Sequence, residues 1–272
     1  MADDWTTKIN TGVPNPARIY DYFLGGKDNF PADRDVADQV LAIAPVARDV
    51  VEDNRAFLRR AVRHLAGEAG VRQFIDLGSG LPTQGNVHEI AQAVAPDARV
   101  VYVDNDAMVV THSRALLAGD NTVAIEADLR QPDSVLRHPE VRELVDFTQP
   151  VALLLVAILH FLPDDQDPFG VVAQFRDTLP AGSHLVVSHG TRDIPVRPDM
   201  SPEEMAEMGE KVERLYQLTT ASLVTRTRAQ VERFFNGFDL LEPGVVEIQL
   251  WRPDERDSLL PGGFYGGVGR KP

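Results

Sequence analysis

The spacing of apolar positions changes character twice along the chain. In the first seventy residues it is helical: AFLRRAVRHLAG places Phe57, Leu58, Ala61, Val62 and Leu65 on one face and ends at Gly67. From residue 71 short apolar runs alternate with amphipathic stretches: VRQFIDL, HEIAQAVA, ARVVYVD, VVTHSRALLAG, TVAIEAD, VALLLVAIL and SHLVVSHG. Strands separated by crossover helices predict a parallel sheet covered on both faces. The last quarter is helical again. PEEMAEMGEKVERLYQLTTASL reads as one long helix with Ser201 as N-cap and Pro202 in its first turn, and TRAQVERFFNGF as a second ending at Gly237. Two closing strands, VVEIQLW at 245–251 and GGFYGGVGR near the terminus, are expected to pair antiparallel across the loop RPDERDSLLPGG.

Residues 1–70 therefore read as a helical cap that belongs to the same unit as residues 71–272, with a helical insertion over about 191–225. No repeat or low-complexity tract interrupts this plan. A formal charge of −14 argues against a nucleic-acid partner, since binding a polyanion rests on a basic surface that releases counterions. The chain contains no cysteine, which excludes disulfides and thiolate metal sites. The acidic start MADDWTTKINTGVPNP lacks the apolar core of a secretory signal, and VALLLVAIL is too short to span a bilayer, so a cytoplasmic protein with no membrane partner is expected.

The candidate chemistry starts at QFIDLGSGLPT. In an open α/β sheet a ligand binds beyond the carboxyl ends of the strands, which makes the turn after QFIDL the default site. Gly78-Ser79-Gly80 supplies G-x-G, but Thr83 stands where a dinucleotide fingerprint has its third glycine, and Asp76 would repel a pyrophosphate. S-adenosylmethionine suits the position better, because it carries an ammonium and a sulfonium but no phosphate. Asp76 would attract the ammonium, and the backbone N–H groups of Gly78 to Gly80 would approach the carboxypropyl group; an ordinary β-to-α turn is the plain alternative. Asp104 ends the second strand, placed to accept from two ribose hydroxyls, a position that also fits an NAD enzyme. Asp106 reads as the N-cap of the following helix. Asp128 ends the third strand, placed to accept from an adenine amino group, with Leu129 against the ring. Ser79, Asn105 and Val156 complete the expected cofactor set.

Two histidines follow strands on the other side of that site. His160 succeeds VALLLVAIL where the methyl group would point, either as a hydrogen-bonded residue shaping the pocket or as a general base, and His189 ends the next strand with the same two readings. His184 and His189 lie five apart on one strand and face opposite sides, so no local pair of metal ligands exists and no metal is expected. In RIYDYFLGGKDNF, residues 18–30, Tyr20, Tyr22, Lys27 and Asn29 straddle Gly25 and Gly26. The segment reads either as a loop closing over the cofactor and the acceptor or as a helix-turn-helix cap packed by its aromatics.

Taken together, PNPARIYDYFLGGKDNFPADR, FIDLGSGLPT, VVYVDND, EADLRQPD, VALLLVAILHFLPDD, GSHLVVSHG and YGGVGRKP resemble an actinobacterial family of S-adenosylmethionine-dependent methyltransferases long catalogued as a domain of unknown function. The likeness runs from about residue 10 to the end. It implies an α/β, Rossmann-like class I methyltransferase fold: a seven-stranded, mostly parallel sheet with an antiparallel last strand and the cofactor over the first strands. Ala107 departs from it, standing where a proline is common, and so does the short loop before the last strand. The leading expectation is a methyltransferase for a small-molecule acceptor. A non-catalytic module that binds the cofactor or its demethylated product is the alternative, and a nicotinamide dehydrogenase is disfavoured by Thr83 and Asp76.

Overall fold

The computed structural model describes residues 10–82, 85–116, 119, 121–191, 193, 200–254 and 262–272. Thr83 and most of the RPDERDSLLPGG loop lie outside the described residues. The chain opens with three helices, α1 (Pro16–Phe23), α2 (Pro31–Ile43) and α3 (Ala47–Gly67). Asn15 caps α1 by accepting the Ala17 N–H at 2.8 Å, with Pro16 in the first turn, where its missing N–H costs nothing. Asp33 accepts the Phe30 N–H at 2.8 Å at the start of α2. The five apolar positions expected on one face of α3 are all buried, and the helix ends at Gly67 as its sequence predicts.

Strands and helices then alternate: β1 (Gln73–Leu77), α4 (Val87–Val94), β2 (Arg99–Asp104), α5 (Ala107–Leu116), β3 (Thr122–Glu126), α6 (Pro132–Leu136), α7 (Pro139–Leu144), β4 (Ala152–Val156), α8 (Pro168–Thr178) and β5 (His184–Gly190). They are followed by α9 (Pro202–Tyr216), α10 (Arg228–Glu232), β6 (Asp239–Leu240), β7 (Val246–Glu247) and β8 (Phe264–Arg270). The sheet order is β3-β2-β1-β4-β5-β8-β6, with β7 paired to β8. Strands β1 to β5 are parallel, and β8 runs antiparallel to β5. Strand direction alternates side chains between two apolar layers: Ile75, Val101, Leu153 and Val187 pack on one face, and Phe74, Val100, Leu154 and Val186 pack against α3 on the other. Order reverses at β1, between β2 and β4, which opens a crevice at their carboxyl ends.

The sheet has eight strands rather than seven, because short β6 and β7 both pair with β8. VVEIQLW contributes only Val246–Glu247 to it. The chain then turns through Ile248–Leu250, which lets Trp251 bury completely against Phe57, ring centroids 5.7 Å apart at 85°. Helix α9 begins at the Ser201 cap but stops at Tyr216, short of the expected end. Past it the backbone serves other segments: Thr220 N–H donates to Pro14 O, Val224 N–H to His160 O and Arg226 N–H to Gly190 O. Helix α10 tightens into the turn Arg233–Phe235 before Gly237, whose φ of +86° marks the predicted stop. Among the described residues no helix is long and apolar enough to cross a membrane.

Candidate active site

The turn after β1 is held to β2 by its own backbone. Gly78 N–H and Ser79 N–H both donate to Val103 O, at 2.8 and 3.2 Å, and Gly80 N–H donates to Asp104 Oδ2 at 2.9 Å. These three donors are therefore engaged within the protein, and the expected approach of the N–H groups of Gly78 to Gly80 to a ligand carboxylate is not what the turn offers. The glycines serve shape instead. Gly78 has φ +69°, and a Cβ there would collide with Ile158; Gly80 has φ +64° and open space where its Cβ would be. Ser79 Oγ is buried without a hydrogen-bond partner among the described residues.

Acids occupy the tips of successive strands. Asp76 is buried, and that burial pushes its carboxyl up to about 7, opposed by Arg55 and reinforced by Asp104. Asp104 Oδ1 accepts the Asp106 N–H at 3.0 Å while Oδ2 takes that of Gly80; burial pushes this carboxyl up to about 6 despite those donors. Asp106 caps α5 through the Met108 N–H at 2.8 Å, as its position predicts, and its other oxygen accepts from Asn15 Nδ2 at 2.9 Å, which ties α1 to β2. Asp128 is gripped by Arg130, whose Nε lies 2.9 Å from both carboxylate oxygens and holds the carboxyl below its usual range. Glu126, unremarked in the sequence reading, sits at the tip of β3 in register with Asp104 and also lines the cavity. The signal was present in IEAD, two residues before the acid that drew attention. Exposed Asn105, buried Leu129 and half-buried Val156 line the same wall.

Of His160 and His189, whose ring centroids lie 5.5 Å apart, only His160 lines the cavity. His160 lies in the turn Leu159–Phe161 and lines the cavity; its Nδ1 accepts the Gly190 N–H at 3.2 Å, which assigns the proton to Nε2. Burial, with His189 and Arg226 nearby, holds this imidazole well below its usual range. His189 is fully buried away from the cavity. Its Nδ1 donates to Gly190 O at 2.8 Å and its Nε2 accepts from Arg226 Nη1 at 2.9 Å, so neither nitrogen is left to meet a substrate. Arg226 was not visible in the sequence reading. Its buried guanidinium also donates to Leu159 O at 3.1 Å, Leu162 O at 2.8 Å and Asp164 Oδ1 at 2.6 Å, which fixes the turn that carries His160.

Of the four N-terminal candidates, Tyr20 alone lines the cavity. Its hydroxyl donates to Val51 O at 3.1 Å and accepts from Asn54 Nδ2 at 3.0 Å, and Asn54 Oδ1 accepts from Ser188 Oγ at 2.6 Å. A polar chain thus joins α1, α3 and the end of β5. Tyr22 points to Asp38 at 2.9 Å, Lys27 is exposed, and buried Asn29 donates to Asp21 Oδ2 at 2.8 Å. The segment is two helices joined by a tight turn, and α1 rather than the turn forms cavity wall.

The cavity encloses about 840 Å³, toward the upper end of the range of about 300–1,000 Å³ for small-molecule sites. Its floor is the switch point, where a left-handed glycine turn and acidic strand tips replace the anion-binding turn of a dinucleotide site. That fold and floor define a class I methyltransferase that uses S-adenosylmethionine. The family model described as S-adenosyl methyltransferase matches residues 2–272, and the chain belongs to that family. A DUF574-family structure from Streptomyces avermitilis shares 43% identity and a TM-score of 0.88, over 96% of this chain and 99% of that one. A Thermobifida fusca protein provisionally assigned as a methyltransferase shares 45% identity and a TM-score of 0.85, over 96% of both chains. The plantazolicin methyltransferase BamL, solved with a triazolic desmethyl analogue and S-adenosylhomocysteine, shares the fold at 12% identity and a TM-score of 0.52, over 94% of this chain and 96% of that one. Comparison with curated proteins returns no match.

Proposed function

We propose that this methyltransferase modifies a small-molecule acceptor, held beside a cofactor anchored by Asp76, Asp104 and Asp128. The observation that carries the reading is the row of carboxylates at the tips of β1, β2 and β3, opening into one cavity with an apolar far side. A ligand rich in donors and positive charge suits such a row, and one with a pyrophosphate does not. When bound, S-adenosylmethionine supplies an electrophilic methyl group on a sulfonium. Asp104, with one backbone N–H on each oxygen, keeps lone pairs for ribose hydroxyls. Asp76 offers its carboxylate to an ammonium, Ser79 Oγ has capacity to spare, and Asp128, steadied by Arg130, accepts from the adenine amino group beside Leu129. Asn105 and Val156 flank the nucleoside from the tips of β2 and β4.

His160 presents an Nε2–H donor to the cavity and in that tautomer orients an acceptor rather than taking its proton. His189 has no part in the reaction on this reading. Tyr20 shapes the roof, while Tyr22 and Asn29 secure the α1–α2 corner and Lys27 stands exposed away from the cavity. A nucleic-acid acceptor would require a basic groove, which a chain of net charge −14 is poorly equipped to supply. The small-molecule complex of the structurally similar BamL adds weight to the same choice.

Calorimetric titration with S-adenosylmethionine, S-adenosylhomocysteine and NADH tests the cofactor assignment, on the wild type and Asp104→Ala. Micromolar binding of the first two, at least tenfold weaker in Asp104→Ala, is expected; that ratio corresponds to ~1.4 kcal/mol, within reach of one charge-assisted hydrogen bond. Equal affinity in the variant, or tighter binding of NADH, refutes the assignment.

A further inference from the structure

The cavity is divided by charge along the sheet. Among the described residues, every charged side chain on its wall lies before residue 131, on the helical cap or at the tips of β1, β2 and β3 and in the loops just after them. From Val156 to the C-terminus no described lining residue is an aspartate, glutamate, lysine or arginine, in a chain of which 25% is charged. That half is walled by the apolar side of α9, with Met208, Val212 and Tyr216 at four-residue spacing, by Phe161 and Phe264, and by Val40 across from α9. The opposite side of α9 is spent on solvent, where Glu207 pairs with Lys211 and Glu210 with Arg214. Helix α9 therefore turns its apolar stripe to a cavity as well as to α2. Its three wall residues are only half-buried, which leaves apolar surface for a ligand to cover.

Besides His160 and Tyr216, the polar side chains described on this half are the neutral Gln166, Thr191, Thr220, Ser222 and Thr225. His160 Nε2–H faces it, and the Tyr216 hydroxyl makes no hydrogen bond among the described residues; Phe161 lies between them, its ring 4.4 Å from His160 and 5.8 Å from Tyr216. Both groups are neutral, since burial keeps the imidazole deprotonated and the phenol protonated. An ion placed against this wall would lose its hydration with no charged group among the wall's described residues to pair with, whereas one hydroxyl or amine could pair with a neutral donor.

We infer that the acceptor is an uncharged, largely apolar ring compound bearing a single polar nucleophilic group, and that the inner face of α9 selects it. This rests on the proposed function, since it assigns the half of the cavity that the cofactor does not occupy. The nucleophile lies toward His160 and Tyr216, and the rings lie against Met208, Val212 and Phe264.

The probe is 2-naphthol, compared with its anionic analogue 2-naphthoate, titrated by fluorescence into protein saturated with S-adenosylhomocysteine. The wild type, Met208→Leu and Met208→Glu are compared, and calorimetry of S-adenosylhomocysteine serves as the folding readout. Expected are binding of 2-naphthol at least tenfold tighter than of 2-naphthoate, a further tenfold loss in Met208→Glu and recovery in Met208→Leu, with S-adenosylhomocysteine affinity within twofold throughout. Equal binding of the two naphthyl compounds, no binding of 2-naphthol, or indifference to Met208→Glu overturns the inference while leaving the cofactor site intact. Failure of the wild type to bind S-adenosylhomocysteine instead overturns the reading on which it rests.

Discussion

Replacing Asp76 with asparagine should make the ligand-free protein more stable at neutral pH while weakening its hold on the cofactor. In the fold this carboxyl is pushed up to about 7 by burial, whereas an exposed aspartate in the unfolded chain titrates near about 3.9. Below the lower value both states are protonated and nothing is lost. Between the two values the unfolded chain releases its proton while the folded protein keeps it, so stability falls as pH rises; above about 7 both are ionised and the penalty is complete. At ~1.4 kcal/mol for each tenfold change in proton affinity, the ceiling is ~4 kcal/mol, with the attraction of Arg55 already included, and relaxation around Asp104 reduces it. Asparagine keeps the shape and never ionises. Thermal melts of wild type and Asp76→Asn from pH 4 to pH 8 should therefore start together and diverge, the variant ending several degrees higher. An ammonium on the ligand reverses the preference, so S-adenosylhomocysteine should stabilise the wild type more at pH 8 than at pH 5, and the variant little at either. A constant offset between the two proteins across this range, or a variant less stable at pH 8, refutes the assignment of Asp76 as a strained, ligand-facing carboxyl.

Two further outcomes follow from the other half of the cavity. Nitrogen NMR of the histidine rings should find His160 neutral and protonated at Nε2 from pH 8 to pH 5.5, because Nδ1 accepts the Gly190 N–H and burial disfavours the cation; an imidazolium signal appearing near pH 6.5 would contradict this. Arg226→Met removes donors from Leu159 O, Leu162 O and His189 Nε2 in a buried region, at about 1–3 kcal/mol for each acceptor left unpaired. Its melting temperature should fall by at least several degrees, and a loss under about 1 kcal/mol would show the clamp to be dispensable.

The acids proposed to hold the cofactor were legible as a group because each is local to a strand end. Asp104 ends β2, Asp76 stands one residue before the end of β1 and Asp128 two residues past the end of β3, each beside an apolar run visible in five or six residues, and parallel strands entering one sheet must deliver their ends to one edge. Asp76, Asp104 and Asp128 converge for that reason, and Asp106 follows from cap chemistry alone. What was misread depends on partners distant in sequence. The glycine turn's N–H groups are consumed by Val103 and Asp104, and nothing in GSG records that. His189 ends its strand as His160 nearly does, yet Arg226, 37 residues later, claims its second nitrogen and buries it. Strand β6 is two residues without an apolar run and exists only because β8 offers it an edge.

The same contrast explains why the acceptor resists a reading from motifs. The chamber proposed for it is assembled from α2, α9, Phe161 and Phe264, which meet through tertiary packing rather than through a shared strand edge. The hydrogen bonds Thr220–Pro14, Val224–His160 and Arg226–Gly190 bind the segment after α9 to the cap, to the turn after β4 and to the end of β5. A substitution on α9's inner face can therefore alter which ring system fits without moving the carboxylates proposed to hold the cofactor. On the proposed assignment acceptor choice is free to vary on a fixed floor, and the lack of charged side chains among the described wall residues after 156 speaks to the acceptor's chemistry where no short motif does.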